Sequence, residues 1–258
     1  MRKFQIFLEW QNIAKNGLTL NPPKDLPNPD AFTLNNFSRS WYWFFNDTIQ
    51  SDKGSERTWS KIYIDALLTI VSFNASHLKR PYVNESLAVY AATKMYNIKG
   101  QEGAIVGSQA PWAEVYCLAN GAKHVTTIEY QKYIITHPQM DFLYAHDLPL
   151  ISKNIEHSGL GRYGDPIDPI GDIREMNKIH CLLKNKGLLF LSFPVGIDTV
   201  VYNAHRIYGR IRLAMMFEGF KLLKIFYSQN IVSEEHMFQV FNNASLADHY
   251  LFVLEKIG

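Results

Sequence analysis

Gly103-Ala-Ile-Val-Gly107-Ser-Gln-Ala-Pro111-Trp-Ala-Glu-Val-Tyr-Cys-Leu-Ala-Asn-Gly121-Ala-Lys-His-Val125-Thr-Thr-Ile-Glu129 is the stretch that sets the fold class. Gly103–Gly107 is a short apolar run closed by glycine, the pattern of a buried parallel strand. Pro111 opens a helix and Gly121 closes it, the usual start and stop residues. Val125–Glu129 is a second strand ending on an acid. Strand, glycine turn, helix, strand, terminal acid is the opening of a doubly wound nucleotide-binding sheet.

The neighbouring sequence extends the pattern in both directions. Upstream, Asn84 is placed to cap an Ala-rich helix over Glu85–Tyr96. Downstream, the spacing predicts a strand at Met140–Ala145, a helix near 172–184 and a strand at Leu188–Phe193. A helix near 206–218, a strand at Phe220–Tyr227 and a strand at Tyr250–Glu255 follow. No full crossover helix is apparent between the last two strands, so they read as a hairpin with an antiparallel final strand. One interval is short. Only 26 residues separate Glu129 from Glu156, and two crossovers with two strands need about 30. The piece that is short is the fourth strand, central in such a sheet, and three explanations stay open: it is reduced to Leu148–Ser152, a segment has been deleted from the chain, or the chain is a catalytically inactive relative that keeps the scaffold.

Residues 1–80 read as an extension before a domain at 81–258. Four of the eleven prolines fall in 21–30, which marks an arm lying over a surface. Trp41-Tyr-Trp-Phe-Phe45 follows, either a stacking platform for a sugar or base or, preferably, the anchor of that arm. Residues 56–73 read as a buried helix.

Composition excludes several classes. With 47% hydrophobic residues the chain can form a large core, and general disorder is excluded. A net charge of +2 gives no electrostatic drive toward nucleic acid or anionic membranes. Cys117 and Cys181 are too few for a disulfide scaffold or a thiolate zinc site, and read as two reduced thiols. No apolar run approaches the ~20 residues of a membrane span. These features point to a cytoplasmic protein. Five N-x-[ST] sequons, at Asn36, Asn46, Asn74, Asn84 and Asn243, read first as coincidence in an Asn-rich chain; the alternative is the lumen of the secretory pathway, with a leader not represented in this sequence.

Two polar clusters should reach the carboxyl edge of the sheet. One is Ile155-Glu-His-Ser-Gly-Leu-Gly-Arg-Tyr-Gly-Asp-Pro166. Its G-x-G-x-x-G is not a dinucleotide fingerprint, because two prolines follow where a helix should start. Its glycines should leave backbone N–H groups free. The other cluster runs from Asn203 to Arg212. These segments, with Phe193-Pro-Val-Gly-Ile-Asp198 and Asn203-Ala-His-Arg-Ile-Tyr-Gly209, resemble the domain-of-unknown-function family numbered 268. Its members look like class I S-adenosylmethionine methyltransferases. The resemblance implies the fold over about residues 81–258 and fixes no reaction.

On that reading Gly107, Ser108, Gln109, Glu129 and Asp147 are the candidate cofactor residues. A carboxylate at Glu129 has two acceptor oxygens for a ribose diol. The candidate catalytic residues are Glu156, His157, Asp165 and His205. Arg162, Tyr163, Asn203, Arg206 and Tyr208 are candidates for substrate binding. The same groups can equally form an ion-pair network that pins two loops together. Their spacing is not that of a metal site. The expected activity is methyl transfer from S-adenosylmethionine to a hydroxyl or carboxylate of a small molecule or glycan. The alternative is a non-catalytic scaffold or binding protein on the same fold.

Overall fold

The computed structural model describes residues 21–45, 57–80, 82–129, 131–144, 155–243 and 248–258, together with Gln5, Leu8, Glu9, Asn12 and Thr19. In chain order the elements are α1 (Pro29–Thr33), β1 (Arg39–Tyr42), β2 (Arg57–Trp59), α2 (Lys61–Phe73), α3 (Val83–Met95), β3 (Glu102–Val106), α4 (Trp112–Ala119), β4 (His124–Glu129), β5 (Tyr133–Ile135) and β6 (Met140–Tyr144). Then come α5 (Gly171–Leu182), β7 (Leu188–Val195), β8 (Thr199–Tyr202), β9 (His205–Ile207), α6 (Arg210–Met216), β10 (Phe220–Tyr227), β11 (Asn230–Ile231), α7 (Glu234–Asn242) and β12 (Asp248–Lys256). Single 3₁₀ turns cover Ala75–His77 and Ile155–His157.

The chain divides into two compact units. The first is Met1–Ser51 with Pro149–Ile225 and Val232–Gly258, and the second is Asp52–Leu148 with Phe226–Ile231. The stretch 1–80 is therefore shared between the two units.

The second unit contains the parallel sheet β3-β4-β6. Val106 pairs with Ile128, and Ile128 with Leu143. Its core gathers Ile64, Val71, Val115, Tyr116, Val125 and Met140. Pro111 precedes α4 and Gly121 follows it at φ +92°, as the sequence indicates. Two expectations need correction. Helix α2 is not buried throughout: Ile64 and Val71 are enclosed, while Ile62 and Phe73 are more than four-fifths exposed. Strand β3 forms, but Glu102, Gly103, Ala104 and Val106 are exposed. The reason is its position. It has β4 on one side and no described strand on the other, and only Ile105 packs against the core. Leu148–Ser152, the expected remnant of a fourth strand, lies outside the described residues.

In the first unit β12 runs antiparallel to β7, from Asp248 opposite Val195 to Glu255 opposite Leu188. The final strand is antiparallel, as expected, but it does not follow a tight hairpin, because α7 intervenes. Ser233 caps that helix by accepting from the His236 N–H, Glu234 and Glu235 occupy its first turn, and Met237 and Val240 form its buried face. The helix expected near 206–218 begins only at Arg210. The residues before it form β8 and β9, paired antiparallel through Val200–Arg206 and Val201–His205. The β-branched run Thr199-Val-Val favours a strand.

The proline-rich arm delivers β1, which pairs in parallel with β8 from Arg39–Thr199 to Tyr42–Tyr202. Phe44 packs on a small core of Phe32, Leu160, Val200 and Tyr202. The arm is thus anchored through its backbone and Phe44, while Trp41, Tyr42 and Trp43 stay about three-fifths exposed.

Candidate functional site

In the second unit the turn after β3 lies at the carboxyl end of a parallel pair. Gly107 adopts φ +80° and its N–H donates to the Ile128 carbonyl at 3.0 Å. Glu129, the residue after Ile128, is 3% exposed. Gly107 and Glu129 therefore end adjacent strands at the same edge, as the sequence implies. Ser108 turns inward. Its Oγ lies 3.0 Å from the Ala110 carbonyl and 3.0 Å from Glu114 Oε2. The Gln109 carbonyl accepts from Arg57 Nη1 and Tyr133 Oη. Asp147 lies outside the described residues.

Glu114 was not singled out from the sequence. It is fully buried, and Thr127 Oγ1 donates to its Oε1 at 2.9 Å. Burial outweighs these bonds and pushes its carboxyl up to about 7. The available signal was an acid on a helix otherwise made of apolar residues, Trp-Ala-Glu-Val-Tyr-Cys-Leu-Ala.

In the first unit the loop 155–172 is closed upon itself. Asp165 Oδ2 accepts from the N–H groups of Gly159, Leu160 and Gly161 at 2.7, 3.0 and 3.1 Å, and Oδ1 from Tyr163 N at 3.3 Å. The N–H groups expected to be free are thus filled by the loop's own carboxylate, as an anion fills a backbone nest. Burial raises the Asp165 pKa, against the pull of these donors. Gly159 sits at φ +81°, and a Cβ there would lie 2.1 Å from the Asp168 carbonyl. Gly159→Ala will destabilise the protein by about 2 kcal/mol or more, through left-handed strain and overpacking. Gly103, with open space around it, serves as the control. Equal urea midpoints for Gly159→Ala and Gly103→Ala would contradict this account of the loop.

His157 and His205 stand with ring centroids 6.4 Å apart and planes perpendicular. His157 Nδ1–H donates to the Ala204 carbonyl, which fixes the tautomer and leaves the lone pair on Nε2. Glu156 Oε1 is 3.6 Å from that nitrogen. Burial above all, with Arg162, His205 and Arg206 adding to it, drives the His157 pKa down to about 4, against the Ala204 bond. Burial, then Arg162 and His249, lowers His205 too. The Arg162 guanidinium lies over the rings of Phe45 and Tyr163, at 4.5 and 5.0 Å. Glu156, His157, Arg162, Tyr163 and His205 are therefore neighbours in one half-buried polar cluster.

The remaining candidates are buried inside the fold. Asn203 is fully buried, and its amide both accepts from Phe45 N and donates to Phe45 O, at 2.6 and 2.5 Å. Arg206 is 1% exposed and donates to the carbonyls of Ser158, Asp168 and Pro169. Tyr208 is fully buried, with its ring 4.3 Å from that of Phe193. Arg212 clamps Asp172 through Nε and Nη2 at 3.0 and 2.5 Å. Asp198 caps the start of α6 by accepting from Gly209, Ile211 and Arg212 N–H groups. This is the loop-pinning network that the sequence allowed as one of two readings.

Fold and site together define a mixed α/β protein built around parallel strand pairs, with a glycine turn and a buried acid at the carboxyl end of one pair. The chain belongs to the family described as "Caenorhabditis protein of unknown function, DUF268", whose model matches residues 100–257. Among solved structures it is similar to the 1,6-didemethyltoxoflavin-N1-methyltransferase of Burkholderia thailandensis, solved with 1,6-didemethyltoxoflavin and S-adenosylhomocysteine. The TM-score is 0.47 at 14% identity, over 77% of this chain and 91% of that one. It is also similar to a structure titled as a putative S-adenosylmethionine dependent methyltransferase from Listeria monocytogenes, with TM-score 0.40 and 12% identity, over 65% of this chain and 100% of that one. No curated protein matches the chain.

No described helix is long and apolar enough to cross a membrane. Among the described residues no three His, Cys, Asp or Glu side chains are grouped to hold a metal ion.

Proposed function

We propose that this chain binds S-adenosylmethionine through Gly107 and Glu129 and methylates a hydroxyl or carboxylate of a small molecule or glycan. The observation that carries this reading is the placement of Gly107 and the buried Glu129 side by side at the carboxyl end of β3 and β4. Glycine at 107 adopts a positive φ without strain and places no Cβ at that edge, and a carboxylate such as that of Glu129 has the two acceptor oxygens that suit a diol. Ser108 fits less well, because its hydroxyl turns toward Glu114. When bound, S-adenosylmethionine supplies an electrophilic methyl group. Within the first unit, taken by itself, His157 is the residue proposed as a base. Its Nε2 is unprotonated at neutral pH and can accept the proton of an attacking hydroxyl. Arg162 and Tyr163 are the proposed substrate contacts.

A second reading, a non-catalytic scaffold, is favoured by Asn203, Arg206 and Asp165, which make hydrogen bonds to backbone groups inside the fold. Thermal unfolding with S-adenosylhomocysteine separates the two. At ~100-fold above the dissociation constant, binding adds about 2.7 kcal/mol, a midpoint rise of roughly 5–11 °C. Glu129→Ala will abolish that rise while unfolding stays cooperative. A wild-type midpoint that ignores the ligand establishes the scaffold reading.

A further inference from the structure

The five sequons are not equivalent in the fold. Asn84 lies within α3, and its Nδ2 donates to the Tyr227 hydroxyl at 3.0 Å. An oligosaccharide on that nitrogen would displace a partly buried contact. Asn36 is exposed, at φ +67°, but its backbone N–H is the part bonded, to Thr33 Oγ1. Asn46 and Ser245, the hydroxyl residue of the Asn243 sequon, lie outside the described residues.

Asn74 differs from these. It is exposed, at the junction between α2 and the following 3₁₀ turn. Its Oδ1 accepts from the Ser76 N–H at 2.9 Å and from the Ser76 hydroxyl at 2.8 Å. Ser76 is the hydroxyl residue of the same sequon, Asn74-Ala-Ser76. Both bonds fall on the carbonyl oxygen of the amide. They draw electron density toward Oδ1 and make the Nδ2 protons more acidic. Among the described residues Nδ2 itself has no hydrogen-bond partner. The amide that must lose a proton is thus polarised by the residue the sequon requires, on a residue that is exposed.

We propose that Asn74 is an acceptor of N-linked oligosaccharide, and that the protein accordingly passes through the secretory lumen. The donor class is a polyprenyl-diphosphate oligosaccharide. A bond forms between Nδ2 and C1 of the donor's first sugar. The C1–O bond to the diphosphate breaks, its electron pair leaves on the diphosphate oxygen, and one Nδ2 proton passes to solvent. No oxidant or reductant is required.

The test uses the full chain isolated from animal cells. Peptide N-glycosidase treatment in ¹⁸O-water converts each occupied asparagine to labelled aspartate, which peptide mass spectrometry locates. The expected result is label at Asn74 and none at Asn84. Ser76→Ala and Asn74→Gln will each remove one glycan from the intact mass, and Asn84→Gln will leave it unchanged. An unlabelled Asn74 in the natural chain overturns the proposal, whether the other sequons carry sugar or the chain carries none. Loss of the glycan in Asn74→Gln but not in Ser76→Ala overturns the part assigned to the serine hydroxyl.

Discussion

Asp172→Ala will lower the free energy of unfolding by about 3–5 kcal/mol, the cost of leaving a buried charge without its partner. Asp172 is fully buried, and Arg206 and Arg212 are 1% and 4% exposed. Arg212 holds the carboxylate through two bonds, and Arg206 Nε stands 3.7 Å from Oδ2. Burial alone would raise the Asp172 pKa. The two guanidinium groups outweigh it and hold the carboxyl below its ordinary 3.8. The sign follows. A depressed acid contributes all of its stability above the unfolded value, and loses it as pH falls below 3.8 toward the folded value. Asp172→Asn keeps the volume and loses the charge. It should retain cooperative unfolding, with a urea midpoint between those of wild type and the alanine variant. Losses below about 1 kcal/mol in both would show that the pair is not holding α5 to α6.

Glu114→Gln will act in the opposite direction. Ser108 has one hydroxyl proton and two neighbours, the Ala110 carbonyl and Glu114 Oε2. When the acid is charged, that proton goes to Oε2; when the acid is neutral, the serine proton turns to the Ala110 carbonyl and the carboxyl donates to Ser108 Oγ, as a glutamine amide also does. Folding raises the Glu114 pKa from 4.5 to about 7. The native state therefore binds more protons than the unfolded chain between those values, and stability falls as pH rises through that window before levelling out. The total loss is on the order of 3 kcal/mol. Glu114→Gln should match wild type near pH 4.5 and be more stable by about that amount at pH 8. Parallel pH profiles for the two proteins would refute the protonated assignment.

Much of the fold was legible because its signals are local. The apolar runs at 103–107, 125–129 and 188–193, and the Pro111 and Gly121 boundaries, became strands and helix ends near their expected positions. Exposure was not legible, since it depends on which strand lies alongside. β3 has the composition of a central strand and is exposed because no described strand flanks it. β8 was not picked out although Thr199-Val-Val carried a strand signal, and β9 overlaps the start of the helix expected near 206–218. In the site, the sequence located the residues but not their direction. Arg206 and Arg162 are both arginines of conspicuous clusters. One points into the core against carbonyls, and the other lies over the aromatic rings of Phe45 and Tyr163. Asp165 in a glycine loop could read as a reactive group, but four backbone bonds make it the keystone of that loop.

The pairing of Arg39 with Thr199 has a bearing on biosynthesis. A ribosome adds about 5–20 residues per second, so β1 waits about 8–30 seconds for its partner strand to be made. During that time Trp41, Tyr42 and Trp43 sit on an extended segment with both edges open, the kind of surface that holdase chaperones bind. The arm is made early and placed late. A nascent chain stalled before residue 199 should therefore be captured by such chaperones through its first fifty residues, and release should follow synthesis of β8.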